Sequence, residues 1–452
     1  MPSLSRRGFL QAAGTASGGL LAGGTVSELL GSGTREQQSA PGQERKFIGT
    51  WTASPQAPYS TGFSGEGFEN QTLRLMTRTS VGGRGVRLRF ANTFSPEPLT
   101  LDEVSVGVRD EGAAVESGTL QPVTFGGDTS ITIPAGGRVL SDPVSLSVES
   151  EQDLATSVYV ADATGPTTWH ALPTKTSYIY SGNQTGEPGN TSFTETTTSW
   201  FFLEGVEVVD PDIVGSVVCL GNSITDGFNS TLDANAAYPD YLAERVNDRN
   251  SLKKSVLNAG ISGNRVLNDS ACCGVNALAR FDRDVLTQPD VTDVILLEGI
   301  NDIGFSEIED ASYTNVTAEE IIDGYQQLIR RAHSHDVRVF GGTLTPFEGA
   351  GYYYEEGEEK RQTVNEFIRT SGAFDGVIDF DRAIRDPDNP KRILERYDSG
   401  DNLHPNDAGY EAMAEAVDLS LLQGQGRGRG SSQGRGQGSV DVRGDAFAVT
   451  GD

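Results

Sequence analysis

SVVCLGNSITDGFN, residues 216–229, runs from an apolar stretch into small and polar residues. Val217, Val218, Cys219 and Leu220 are apolar without alternation, as in a strand covered on both faces, and Gly221 ends the run. Ser223 follows two positions later, where a core strand meets a flexible turn. Downstream the same grammar repeats. "SVVCLG" precedes "AYPDYLAERVNDR", "SVLNAGI" precedes "VNALARFDRDVLTQ", and "DVILLEGIND" precedes "TAEEIIDGYQQLIRRAHSHD". "VRVFGGTLTP" then precedes "YEEGEEKRQTVNEFIRTSG", and "VIDF" closes the series. Strands rich in Val, Ile and Leu, separated by helices, predict an α/β domain over 211–422 with a parallel sheet covered on both faces. In such sheets the ligand crevice lies at the carboxyl ends of the strands, and Ser223 falls at one.

Upstream, residues 45–208 read differently. "QTLRLMTRTSV" and "RGVRLRFANT" alternate apolar and polar positions around the turn "SVGGRG", and "VSVGVRD" and "LATSVYVAD" continue the pattern. With Gly and Pro at short intervals, this predicts an all-β sandwich of jelly-roll type.

The chain's ends carry other signals. "SRRGFL", Ser5 to Leu10, precedes the mildly apolar "QAAGTASGGLLAGGTVSELLG". A paired arginine before such a stretch resembles a twin-arginine export signal, so residues 1–44 are expected to be an export signal and linker, and the protein to be secreted or held at the cell surface. No segment is long and apolar enough to predict a membrane span. Residues 423–452, rich in Gly, Arg and Gln, are too poor in apolar side chains to make a core and are expected to form a disordered tail.

The 452 residues hold 35 Lys+Arg against 63 Asp+Glu, a net charge of −28. That surface repels nucleic-acid phosphates and anionic membranes, which excludes both as general partners. Lysine is scarce beside arginine, and acidic residues run along the whole chain. The pattern reads as halophilic adaptation, in which salt screens self-repulsion. Of three cysteines, Cys219 reads as a core residue. Cys272 and Cys273 are adjacent, and the sequence leaves open a vicinal disulfide or two separate thiols. No Cys/His spacing resembles a metal site, and no cofactor is called for. Sequons stand at Asn70, Asn183, Asn190, Asn229, Asn268 and Asn315.

A serine nucleophile needs a base, an acid to orient it, and donors for the oxyanion. There are four histidines. His333 and His335 end a predicted helix, where imidazoles suit the dipole. His170 lies in the β region and reads as structural or as part of a domain interface. His404 lies in "SGDNLHPNDAGY", three residues after Asp401, a spacing that lets one turn of chain set a carboxylate against the imidazole. The second and third strands end in "NAGISGN" and "EGIND", which put Gly and Asn where backbone and amide donors would face the same crevice.

Taken in order, "GNSITDG", "NAGISGN", "GIND" and "DNLH" resemble the four blocks of the SGNH/GDSL hydrolase family, over about the last half of the chain. The resemblance implies a flavodoxin-like three-layer α/β/α domain and a serine esterase. It implies Ser223 as nucleophile, Asp401 and His404 as its partners, and an oxyanion hole from Ser223, Gly263 and Asn301. One position departs: Asn222 stands where many members have Asp. Asp226, Asp302 and Asn258 read as turn and loop supports. "IGTWTASPQAP" and "LLEGINDIG" are similar to a secreted branch related to xylanase-associated aryl/acetyl esterases. That implies an ester substrate, acetylated polysaccharide or a small ester. The alternatives are a lipase or acylhydrolase on longer acyl esters, and a carbohydrate-binding surface protein with a silent hydrolase domain. Reading "GNSITDG" as a phosphate loop fails for want of the G-x-x-x-x-G-K-[ST] pattern. "GYYYEE", 351–356, reads as loop packing rather than as a sugar platform.

Overall fold

The computed structural model describes residues 46–189, 192–248, 252–270, 272–307 and 315–424. The expected export signal, the sequon at Asn190 and all but the first two residues of the expected tail lie outside these.

Within the second region, five strands form a parallel sheet: β1 (Ser216–Gly221), β2 (Ser255–Gly260), β3 (Val291–Leu297), β4 (Arg338–Gly342) and β5 (Gly376–Ile378). Their spatial order is β2-β1-β3-β4-β5, the flavodoxin-like order. Every residue of β1 is buried, as its unbroken apolar run requires. Helix α1 (Ser223–Asp226) follows β1 directly, and α2 (Tyr238–Asn247) packs on β2. Helix α3 (Ile300–Gly304) follows β3. Helix α4 (Ala318–Ser334) packs on β4 and on α5 (Glu355–Thr370), while α6 (Asp407–Glu415) packs on α2. The three-layer α/β/α architecture is therefore present.

Local chemistry explains the longest helix. Thr317 caps α4 and Glu320 closes a capping box, satisfying two of the helix's first N–H groups. Ile321, Tyr325, Leu328, Ile329 and Ala332 then lie along one buried stripe. His333 and His335 fall at its end, as their sequence position predicts.

The first region is a pair of antiparallel sheets enclosing an apolar core that includes Ile48, Leu73, Leu75, Leu88, Phe90, Val158 and Val206. One sheet is built from Phe47–Thr52, Leu203–Val209, Gly83–Ala91, Arg138–Leu140 and Val144–Val148. The other centres on Gln71–Arg78 and Asp153–Val160. The described residues, from 46 to 424, fall within one compact unit. Strand Phe47–Thr52 lies against β2 so closely that a Cβ at Gly49 would sit 3.0 Å from the Leu257 side chain. The β region thus docks on the edge strand of the parallel sheet. Among the described residues no helix is long and apolar enough to cross a membrane.

Candidate active site

The strand register sets the stage. Gly221 pairs with Gly260 on one side and with Leu297 on the other, so β1, β2 and β3 end level. The segments that follow them emerge side by side at the switch point, where neighbouring connections leave to opposite sides.

Ser223 is the first residue of α1. Asn222 caps that helix by accepting the Ile224 N–H at 3.0 Å, and Gly227 ends it at φ 97°, in the left-handed region that suits glycine. This four-residue helix between two fixed ends holds the Ser223 side chain toward the crevice. Its Oγ lies 2.8 Å from His404 Nε2. His404 Nδ1 lies 2.6 Å from Asp401 Oδ2. Nδ1 faces a carboxylate and must carry the proton, so Nε2 presents a lone pair to the serine. Asp401 is itself pinned. Its Oδ1 accepts the N–H groups of Leu403 and His404 at 3.0 and 2.8 Å, and its Oδ2 also accepts from Asn229 Nδ2 at 3.0 Å. Burial opposes ionisation of Asp401, but the His404 bonds outweigh it and hold the carboxyl well below the usual range. Phe228 packs on the imidazole with ring centroids 4.7 Å apart.

The other two segments converge on α1. After β2, Ser262 binds Asp226 Oδ2 through its N–H at 3.0 Å and its hydroxyl at 2.7 Å. Gly263 has φ 77°, and a Cβ there would lie 2.4 Å from Cys273 Sγ, so only glycine fits. Cys272 and Cys273 are joined as a disulfide that walls this loop, and Tyr59 of the β region donates to the Cys272 carbonyl at 2.7 Å. Of the two cysteine states the sequence left open, the structure takes the paired one.

After β3, Asn301 is 3% exposed and donates Nδ2 to the Asn264 carbonyl at 3.0 Å. Tyr352 donates its hydroxyl to Asn301 Oδ1 at 3.0 Å, which fixes the amide with its NH2 on the Gly263 side. Asp302 accepts the N–H groups of Val266 and Leu267 at 2.7 and 3.1 Å, and burial pushes its carboxyl up to about 6. Asn258 donates to the Thr225 carbonyl at 2.8 Å and accepts the Gly260 N–H at 2.9 Å. Asp226, Asp302 and Asn258 thus hold loops, as their sequence context suggests.

Ser223, Gly263, Asn301, Asp401 and His404 therefore come together from four chain segments. Three residues at the site carried a different reading in the sequence. Tyr352 belongs to a tyrosine run that reads as packing, Asn229 to a sequon, and His170 reads as structural or as part of a domain interface, with no partner indicated. Tyr353 and Tyr354 do pack within the loop region, bonding Glu355 and Ser306. Among the described residues no group of three or more His, Cys, Asp or Glu side chains is arranged to hold a metal ion.

Residues 219–412 match the model of the GDSL-like lipase/acylhydrolase family. Residues 219–412 are thus a GDSL-like acylhydrolase domain. Its class of chemistry is carboxylic ester hydrolysis. No curated protein matches the chain. Solved structures similar to the acylhydrolase domain include a GDSL-like lipase from Bacteroides thetaiotaomicron, at 18% identity and TM-score 0.35, covering 46% of this chain and 87% of that one. A carbohydrate acetylesterase family member from Sinorhizobium meliloti aligns at 15% identity and TM-score 0.37, over 46% of this chain and 99% of that one. An acetyl xylan esterase aligns at 21% identity and TM-score 0.33, over 44% of this chain and 96% of that one.

Proposed function

We propose that the protein is an exported serine esterase that removes short acyl groups, acetyl foremost, from polysaccharides or small esters. The observation that carries the mechanism is the 2.8 Å approach of Ser223 Oγ to an imidazole whose far nitrogen is held by Asp401. In this reading His404 Nε2 takes the serine proton as Oγ attacks the ester carbonyl. The carbonyl oxygen becomes an oxyanion and is held by the Ser223 and Gly263 N–H groups and the Asn301 amide. A donor of this kind is worth roughly 3–4 kcal/mol in the transition state. His404 returns the proton to the leaving alcohol, the acyl group stays on Ser223, and His404 then activates the water that releases the acid. Asp401 keeps the imidazole in the required tautomer and balances its charge when protonated.

The export reading rests on the paired arginines at Arg6 and Arg7, and the acetyl preference on the sequence resemblance of "IGTWTASPQAP" and "LLEGINDIG". The test is p-nitrophenyl acetate hydrolysis by the full chain and by Ser223→Ala. The variant should remain folded and lose turnover, and retained turnover would remove the serine mechanism. A panel of acetylated xylan, other acetylated glycans and esters of rising acyl length then identifies the substrate. Fastest turnover on long acyl chains would reverse the acetyl assignment.

A further inference from the structure

We infer that the β-domain is a working part of the esterase centre: its His170 is a positioning residue that fixes the oxyanion segment Ser262–Asn264 through Asp226. The inference deepens the serine-esterase reading and rests on the role given there to Gly263.

His170 lies on the two-residue strand Trp169–His170 and is 4% exposed. Its Nδ1 is 2.9 Å from the Ser54 carbonyl oxygen, and its Nε2 is 3.0 Å from Asp226 Oδ1. A carbonyl and a carboxylate only accept, so both ring nitrogens must donate and the ring is an imidazolium. Burial works against that charge, but Asp226 and the Ser54 carbonyl outweigh it, and the ring's pKa lies above its ordinary value despite the opposing guanidinium of Arg280. His170 therefore neutralises a carboxylate that has been taken out of water.

That carboxylate is the clamp on Ser262. Asp226 gives one oxygen to His170 and the other to both the N–H and the hydroxyl of Ser262. Ser262 adjoins Gly263. A second tie grips the other side of the same glycine. Arg280, fully buried, donates Nε to Asn264 Oδ1 at 2.8 Å and Nη1 to Ser54 Oγ at 3.1 Å. It also binds the Gly221 and Ala259 carbonyls at 2.9 and 2.7 Å, where β1 and β2 end. Ser54 is thus the common anchor, with its carbonyl on His170 and its hydroxyl on Arg280. Residues 262 and 264 are both held by charged groups that lean on the β-domain, and Gly263 lies between them.

A plain interface ion pair would act on stability alone. This one differs in what it leaves behind. Without His170, Asp226 is a buried carboxylate stripped of its counter-charge, and its hold on Ser262 weakens. The Gly263 N–H then drifts from its aim. Misaimed donors act on the transition state more than on ester binding.

The test uses the full chain and compares His170→Ala, His170→Gln and Gln288→Ala. Gln288 joins the same two domains through Arg89 at 2.6 Å and Thr52 at 3.1 Å, and in the α/β domain it bonds the Asp284 carbonyl rather than residues 262–264. His170→Ala should lower kcat on p-nitrophenyl acetate about 10-fold or more, with KM within about 2-fold. It should weaken, in proportion, inhibition by an alkylboronic acid, which forms a tetrahedral anion on the serine. His170→Gln restores one N–H toward Asp226 and should recover part of kcat. Gln288→Ala should lose stability with kcat within about 2-fold of wild type. A folded His170→Ala with unchanged kcat, or with only KM altered, would overturn the inference. If His170→Ala does not fold, His170→Gln and Ser262→Ala are combined. Their effects on kcat should be strongly non-additive, and additive effects would overturn the inference equally. Ser223→Ala separates the two levels: its retained activity would end the serine reading, whatever His170 does.

Discussion

Glu298→Gln should stabilise this protein in a way that grows with pH. Glu298 sits between β3 and α3 with none of its side chain exposed, and neither carboxyl oxygen reaches hydrogen-bond geometry with a protein donor. The Asn222 amide and the Gly299 N–H lie alongside and lower its pKa, as does Arg280, but burial dominates, with help from Asp302. Its carboxyl is pushed from an ordinary 4.5 up to about 8. The folded protein therefore keeps a proton here that the unfolded chain releases, and stability is lost as pH rises from the unfolded value through the folded one. Between about pH 5 and pH 7.5 that loss is about 3 kcal/mol. Glutamine does not ionise and avoids it. The amide's own fit adds an offset that is the same at both pH values, and the raised carboxyl of Asp302 is present in both proteins and cancels. The assay is urea unfolding of wild type and variant at the two pH values. The stability difference should shift by about 3 kcal/mol toward the variant at the higher pH. Because the group is buried, the shift should persist in high salt, unlike a surface charge effect. A difference constant to within about 0.5 kcal/mol would show that Glu298 ionises freely and refute the argument.

Asn301→Ala should reduce kcat by about 100-fold with little change in KM, measured on p-nitrophenyl acetate. Tyr352→Phe keeps the ring and removes only the hydroxyl that orients Asn301, so kcat should fall by about 10-fold with the unfolding temperature nearly unchanged. Equal kcat in Tyr352→Phe and wild type would mean that the Asn264 carbonyl alone sets the amide. With a net charge of −28, thermal unfolding should shift upward from about 0.1 M to about 3 M NaCl as self-repulsion is screened. A flat or falling profile would count against salt adaptation.

What the sequence discloses and what it hides divide along a physical line. The parallel sheet was readable because a strand buried on both faces must be apolar throughout, and β1 is. The helices were readable because one buried stripe recurs every three to four residues, as in α4. Ser223, Gly263 and Asn301 were readable as a set because each lies just past a strand end, and parallel strands in this order end level. Asp401 and His404 were linked by a spacing of three. The rest of the site is held by side chains whose partners lie far along the chain and whose residue types are ordinary where they stand. Tyr352 is 51 residues from Asn301, Asn229 is 172 from Asp401, and His170 is 56 from Asp226. No local period or spacing encodes such pairs. One clue was available for His170: it is the one histidine of the β region, next to Trp169 in the chain. Once buried it needs a partner for each ring nitrogen, and one that it finds is a carboxylate in the block that carries Ser223. The interface between the domains is therefore also the back wall of the Ser262–Asn264 loop. An esterase built this way should not be separable into a free catalytic half, because removing the β-domain would strip the counter-charge from Asp226 and the anchor from Arg280 together.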